Sequence, residues 1–473
     1  PETGATVIGY DNADNVNFSA SGLALTSITD CEHLAAWNSG RRVERSYDVR
    51  NRLQNLTFPD GRDNQLWQYW PDGLVKQITT YNDVASGGRV DNNYAYNKRR
   101  LLLSETIAEP GNYSWSMGYN YSTLGALASL QYPDGLSVNY APNALGQPTQ
   151  AGSYATGVSY YPNGAMQQFT YGNGIVHTLE QNARQLPDIS RDAYGATKFL
   201  EDGYDYDANG NVAAISDGTT GNRGNRDMTY DGLDRLKTAV SPMFGNASYA
   251  YDALDNLTRV TIGGPAARDH YYCYDASNRL TNVKTGNCGG TSVIGLGYDA
   301  QGNVVNKNGQ VFDFDYGNRL REATTKEAYR YDGNGRRVAA QATAGAIYSF
   351  YGQDGALRSQ RDERRNEAYD YVHLNGSLVA RITAATPVVG VPVVSGPASD
   401  SDGSYTVQWT AVTGATQYEL QESVNGGTWQ ATYTGASTSQ AISGKSANSY
   451  GYRARACKSG TCGNWSATAT VVV

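Results

Sequence analysis

Between Tyr206 and Leu280 apolar and polar positions alternate in short runs broken by polar clusters. The chain reads YDANGNVAAISDG, then YDGLDRLKTAV, then YDALDNLTRVTIGG, then YDASNRL. One unit recurs: an aromatic residue, Asp, two variable positions, Gly, Asp or Asn, then Asn or Arg, then Leu or Val. Tyr206, Tyr230, Tyr251, Tyr274 and Tyr298 open successive units at spacings of 24, 21, 23 and 24 residues. Self-similarity at a fixed period defines the architecture before any local detail does. Tyr favours a half-buried pleated surface. Asp two or three residues ahead of Gly or Asn is turn chemistry: the carboxylate accepts backbone N–H groups ahead of it, and Gly or Asn accepts a positive φ. A period of roughly 20–24 residues fits two strands and two turns, so each unit reads as a β-hairpin. A lone hairpin is marginal in water, and the units must therefore stack into one long sheet.

The motif residues are Tyr206-Asp207, Tyr230-Asp231, Tyr251-Asp252, Tyr274-Asp275, Tyr298-Asp299 and Tyr331-Asp332. The pattern resembles the YD repeats of the Rhs family, found in bacterial Rhs polymorphic toxins, in the B and C components of ABC toxin complexes and in animal teneurins. The resemblance covers about residues 5–383 and implies a spiral sheet of hairpins wrapped into a hollow shell. Toxin-carrying members end in a core segment with a self-cleaving Asp-Pro motif, and this chain has no Asp-Pro. The expectation is therefore a section of a shell, in a secreted or cell-surface bacterial protein.

Taken in order, Pro1–Gly4 looks like a processing remnant. Residues 5–200 hold degenerate repeats such as YDNADN at Tyr10 and YDVRNRL at Tyr47. A second motif, FPDG (58–61), WPDG (70–73), YPDG (132–135) and YPNG (161–164), is a tight-turn signal and is expected at the hairpin ends opposite the YD turns. Residues 20–45 break the repeat and could plug the N-terminal end; TSITDCEHLAAW within them is either a short helix or a loop. Residues 5–383 are expected to form one continuous spiral sheet, with the motif tyrosines stacked as a ladder between hairpins. DYVHLNGSLVARI (370–382) reads as a hairpin around Asn-Gly that leaves an uncapped edge. Residues 384–398 are a Pro- and Val-rich linker. Residues 399–473 read as a small sandwich resembling a fibronectin type III domain. Trp409 would be its core tryptophan, Tyr450 its tyrosine corner, and Trp465-Ser466 the start of the last strand.

Composition narrows the function. The chain has 53 Gly and 37 Tyr against 4 Met and 8 Phe, which suits an all-β protein. A net charge of −7 with scattered basic residues does not suit a nucleic-acid binder. No apolar run reaches membrane-spanning length. The four histidines, His33, His177, His270 and His373, lie in no metal or nucleophile spacing. The aspartates are explained by the repeated turn, so no catalytic, cofactor or metal site is expected. Of five cysteines, Cys457 and Cys462 flank a four-residue turn and would meet as a disulfide in a hairpin. Cys273 and Cys288 could join only if a loop folds back, and Cys31 is left over. Two functions compete: a non-enzymatic scaffold enclosing a C-terminal toxin cargo of the full-length protein, or a surface adhesin that binds glycan or protein on another cell.

Overall fold

The structure, a computed structural model, describes residues 4–23, 40–84, 87–110, 112–219, 223–264, 266–384, 391–412, 415–458, 461–463 and 465–473. Among these it is built of antiparallel strands with no α-helix. Strands β1–β11, within 5–139, form an 11-stranded meander. Strands β12–β33, within 155–383, form a second meander of 22 strands. Strands β34–β41, within 394–472, form a sandwich. The meander order follows from short polar turns, which leave each strand no neighbour nearer than the one before it.

The ribbon is thus in two pieces where one continuous sheet was expected. The break lies at 140–154, where the regular ladder gives way to the isolated bridges Pro142–Pro148 and Ala151–Ala155 and to single bonds such as Thr149 N–H to Tyr140 O at 3.0 Å. Proline has no N–H to donate, so a pair of prolines facing each other cannot extend a sheet. The turn between them keeps the repeat geometry, since Asn143 Oδ1 accepts the N–H of Leu145 and of Gln147.

The ribbon winds back on itself. Asp63, between β4 (Leu53–Thr57) and β5 (Asn64–Tyr69), meets Arg319, between β26 (Gln310–Phe314) and β27 (Leu320–Ala323). Asn112, between β8 (Leu102–Glu109) and β9 (Tyr113–Tyr121), meets Tyr348 in β30 (Gly345–Tyr351) at 2.8 Å. Tyr132, between β10 (Leu127–Gln131) and β11 (Ser137–Asn139), donates to the carbonyl of Tyr371 in β32 (Glu367–Leu374) at 2.9 Å. These contacts advance by 21 to 22 strands. At about 4.8 Å per strand, one winding is a ring roughly 105 Å around and about 33 Å across between backbones.

Where windings overlap they share a dry core that includes Ile107, Trp115, Met117, Tyr348, Phe350 and Leu374. Burial alternates in β9 and in β32, as it must when one face of a pleated strand is covered. Between overlaps the sheet is a single layer. In β14 (Val176–Gln181) and β17 (Val212–Asp217) no residue is buried on either face. The chain exposes 24248 Å². A compact protein of 51.0 kDa would expose about 17,000 Å². A wall wetted on both faces is the physical source of much of the excess.

In the sandwich, β34 (Val394–Ser395), β35 (Tyr405–Trp409) and β38 (Ser439–Ile442) face a sheet of β37 (Gln430–Gly435), β36 (Gln417–Val424), β39 (Ser449–Lys458), β40 (Thr461–Cys462) and β41 (Ala469–Val472). Trp409 is buried against Tyr418 and Tyr433, and the Tyr450 hydroxyl donates back to the carbonyl of Ser446 at 3.0 Å. Three boundaries differ from expectation. Val394 already pairs with Trp409, so the sandwich starts inside the expected linker. The last strand begins at Ala469, because Ser466 instead bonds across to Ala454 through both its N–H and its hydroxyl. At the other end, residues 20–23 and 42–45 of the expected plug are strand, in β2 (Val16–Leu23) and β3 (Arg42–Tyr47). Residues 24–39 of that segment, with Cys31, His33, Leu34 and Trp37, lie outside the described residues, as do 1–3 and 385–390.

Candidate functional site

The repeated turn has one geometry throughout. The motif Asp accepts from the backbone N–H groups two and four positions ahead: Asp252 from Leu254 at 2.8 Å and from Asn256 at 2.9 Å. Asp207, Asp275 and Asp299 do the same. The third position ahead is left-handed, with φ of 59° at Asp234, 64° at Asp255 and 96° at Gly210, which is why Gly, Asn or Asp recurs there. The fourth residue returns its side chain to the Asp: Asn256 Nδ2 at 2.9 Å, Arg235 Nε at 2.7 Å. These donors hold the carboxyls of Asp207, Asp231, Asp252 and Asp275 below the usual range, with Asn211, Arg235 and Asn256 the leading causes for the first three and the Arg279 N–H for Asp275.

The motif tyrosines tie each unit to the one before. The hydroxyl of Tyr230 donates to the carbonyl of Val212 at 2.9 Å, Tyr251 to Leu236 at 3.0 Å, Tyr274 to Leu257 at 2.9 Å and Tyr298 to Leu280 at 2.7 Å. Tyr206 reaches Pro187, and Tyr331 reaches Leu320, in the same way. The acceptor is the strand-opening residue of the previous unit. Motif arginines lie over the next tyrosine, Arg235 over Tyr251 and Arg279 over Tyr298. The ladder between units is thus made by hydroxyl–carbonyl bonds and guanidinium–ring contacts, where ring stacking was expected.

All motif turns fall on one rim of the ribbon. WPDG and YPNG lie there too, as the β5–β6 (Val75–Tyr81) and β12 (Ala155–Tyr160)–β13 (Met166–Tyr171) turns. Only FPDG and YPDG occupy the opposite rim, which corrects the expectation for the other two. Turn geometry does not decide the rim: Trp70 N–H bonds Leu74 O and Gly73 N–H bonds Trp70 O, as at the motif turns, but Tyr132 N–H bonds Leu136 O and Gly135 N–H bonds Tyr132 O in the same way on the opposite rim, so the rim follows from strand count.

The second winding lays its motif rim over the first, and this seam collects much of the buried charge among the described residues, with Asp202 in the wall and Glu422 in the sandwich lying outside it. Asp63, fully buried, receives Arg319 at 2.8 Å and Arg321 at 3.2 Å. Arg321 also holds the motif carboxylate Asp315 and, at 2.6 Å, Asn82. Asn92 bonds Asp332 and the N–H of Gly333. Arg330 pairs with Glu109, and Glu105 accepts from Tyr119 and from the N–H of Gln353. Burial pushes Asp63 up to about 7 against the pull of its arginines, and it raises Glu105 and Glu109. Asp370 is raised to about 7, by burial first and also by Asp134, the carboxyl it faces from the YPDG turn; Ser359 bonds its other oxygen. Sequence reading named Asp332 only as a motif turn residue and gave none of these acids a buried role. Asp332 is buried here although the turns at Asp207 to Asp299 are open, and nothing local distinguishes it.

Two disulfides are present. Cys457–Cys462 joins facing positions of β39 and β40. Cys273–Cys288 forms because the loop after β23 (Leu280–Thr285) folds back, with Lys284 Nζ held on the carbonyl of Cys288 at 2.7 Å. Among the described residues Glu419, Cys457 and Cys462 bring three ligand-type atoms together, but both sulfurs are spent on the disulfide. His177 bonds Asp192 across two strands at 2.8 Å and packs on Phe169, and His373 lies beside Arg358. No described helix is long and apolar enough to cross a membrane.

No family model matches the chain, and no curated protein matches it. Solved structures do. The chain is similar to the Photorhabdus luminescens Tc holotoxin pore with a mutated TccC3, at 14% identity and a TM-score of 0.52, over 95% of this chain and 23% of that one. It is also similar to TcdB2-TccC3-TEV, at 13% identity and a TM-score of 0.48, over 95% of this chain and 25% of that one. The chain spans about a quarter of the length of these structures. At such identity the likeness is one of fold: a long antiparallel β shell.

Proposed function

We propose that the chain is a non-enzymatic section of the wall of a hollow Rhs-type shell, in a secreted or surface bacterial protein, whose role is to enclose a polypeptide cargo. The observation that carries this reading is the combination of a single-layer wall, wet on both faces, with a seam that closes the ribbon on itself after one winding. A ring about 33 Å across between backbones, less roughly 10 Å for side chains, leaves room for a chain but not for a large folded domain. The buried acids and arginines of the seam serve closure, since each lies between windings. The sandwich is read as fibronectin type III-like from its strand order and its tyrosine corner.

An adhesin remains the second reading, because the sandwich carries surface tryptophans. Each already carries a guanidinium on a ring face: Arg453 lies over Trp429 at 4.2 Å and over Trp465 at 4.8 Å, and Arg455 over Trp465 at 4.4 Å. That favours enclosure over sugar stacking. Small-angle scattering tests the reading. A hollow ring gives a pair-distance distribution skewed to long distances with an interior at solvent density; a compact profile for a 51.0 kDa particle refutes it.

A further inference from the structure

Of the two disulfides, Cys457–Cys462 lies in the sandwich and Cys273–Cys288 in the wall. The wall disulfide sits on a thin stretch of the ladder. β23 meets β24 (Ser292–Tyr298) only at Asn282–Gly295, Val283–Ile294 and Lys284–Ser292, with a register shift before the last pair. β25 (Val304–Lys307) meets β26 only at Asn306–Val311 and Lys307–Gln310. β24 also carries Gly295 and Gly297, and glycine inside a strand weakens it.

The motif rim gives this stretch less help than its neighbours receive. Before and after it, a side chain of one motif turn reaches the next turn: Asn211 Nδ2 bonds Asp234 at 2.8 Å, Arg235 bonds Asp255 at 2.7 Å, and Asn303 Nδ2 bonds Asn318 at 3.0 Å. From Asp252 through Asp275 to Asp299 no such bond is present among the described residues. The side chains of Asn256 and Arg279 hydrogen-bond only the Asp of their own turn, which leaves the tyrosine hydroxyls as the ties of this rim. At the other rim the loop that carries Cys288 is fastened to β23 by the disulfide and by Lys284, whose ammonium holds the Cys288 carbonyl. Cys288 is exposed and Cys273 is buried, so a reductant meets Cys288 first.

We propose that Cys273–Cys288 is a redox-released clasp: reduction by a dithiol frees the loop after β23 and lets β23–β25 open locally while the rest of the ribbon stays paired. The reductant's thiolate attacks Cys288 Sγ, the S–S bond breaks, and its electron pair leaves on Cys273 Sγ, which takes up a proton. The reductant's second thiolate then displaces Cys288 Sγ, which is protonated in turn, and the reductant departs as its own disulfide. The opening itself needs no cargo; its use, letting an enclosed chain leave in a reducing compartment, rests on the enclosing role.

Amide exchange of the full chain with and without dithiothreitol tests the clasp. Peptides from 280–307 should exchange at least about tenfold faster after reduction, since a cross-link between residues 15 apart restrains the opened state. Peptides from 155–217 should not change. Cys273→Ser with Cys288→Ser should exchange fast in 280–307 without reductant and show no response to it. Cys457→Ser with Cys462→Ser should respond as the wild type does, which assigns the effect to the wall disulfide. Equal exchange in 280–307 before and after reduction, with both disulfides shown by mass to be open, overturns the proposal, and so does an acceleration spread equally over 155–217. The enclosing role is tested separately by scattering: a hollow profile with no redox response sinks the clasp alone, and a compact profile with a redox response sinks the enclosing role alone.

Discussion

Aspartate does two opposite things in this chain, and what lies over it decides which. At an open motif turn the carboxylate collects N–H donors in contact with water. It is ionised when folded, with Asp48 held at about 2 chiefly by the Arg52 side chain. That stabilisation is complete above the ordinary carboxylate value near 3.8 and is lost as pH falls through the lowered value. In the seam the sign reverses. Asp63 and Asp370, raised to about 7, hold protons when folded that the unfolded chain has already released. Their contribution is complete below 3.8 and is lost as pH rises through about 7. The thermal midpoint should therefore rise from pH 2 to 4, then fall between about pH 4 and 7. Asp370→Asn removes the titrating carboxyl, so the fall should be shallower and the variant more stable than wild type at pH 8. If the two profiles run parallel from about pH 4 to 7, Asp370 carries no such proton. The turn role of Asp207 to Asp299 was legible from residue order, because it is local chemistry. Asp63 and Asp370 were not, because their environment comes from residues more than 200 positions away.

At the level of the hairpin, period and strand pairing were readable because each turn carries its own instructions. The rim on which a turn lies, and what covers it, depend on counting strands across the whole ribbon. WPDG could not be assigned to the YD rim without knowing that 59–69 holds a further turn and strand. Pro142 and Pro148 stand where the sheet breaks, yet one continuous sheet was expected across them, because their pairing shows only once the turn at Asn143 is placed. Two glycines make the distinction testable. Gly232 and Gly333 occupy the same motif position, one after Asp231 and Asp332 respectively. A Cβ on Gly232 meets nothing within 4 Å, whereas one on Gly333 would lie 2.7 Å from Ile78 Cβ. Gly232→Ala should be neutral or stabilising by a few tenths of a kcal/mol, through a less disordered unfolded chain. Gly333→Ala should cost about 1–3 kcal/mol by overpacking the seam. Chemical denaturation measures both, and equal effects would mean that the seam is looser than described.

Across the whole molecule, regularity and stability part company. The cleanest repeats, from Tyr206 to Tyr298, suggest the firmest part of the array, and an uncapped edge at 370–382 suggests the weakest. The structure distributes burial differently. β17 is single-layered, with both faces reached by water, so its ladder bonds are sheltered by turn caps and tyrosine hydroxyls alone. β9 and β32 belong to overlapping windings and share a dry core. The edge strand β33 (Ser377–Thr383) has Val379, Ala380 and Ile382 packed against that core, and Asn375 in its turn bonds the Tyr160 hydroxyl at 2.9 Å. Local opening needs little free energy where few apolar contacts are broken, and approaches global unfolding where a core must be taken apart. Amide exchange should therefore be slowest in 102–121 and 345–374 and markedly faster in 197–262, although the latter lies in the middle of an unbroken sheet. The inner-facing amides of 367–374 should be slow in a monomeric sample, because the seam covers this hairpin's face whether or not its outer edge is paired. If peptides from 226–262 exchange as slowly as those from 102–121, the wall has a second covered face, and a ring held shut by one seam is the wrong description of the molecule.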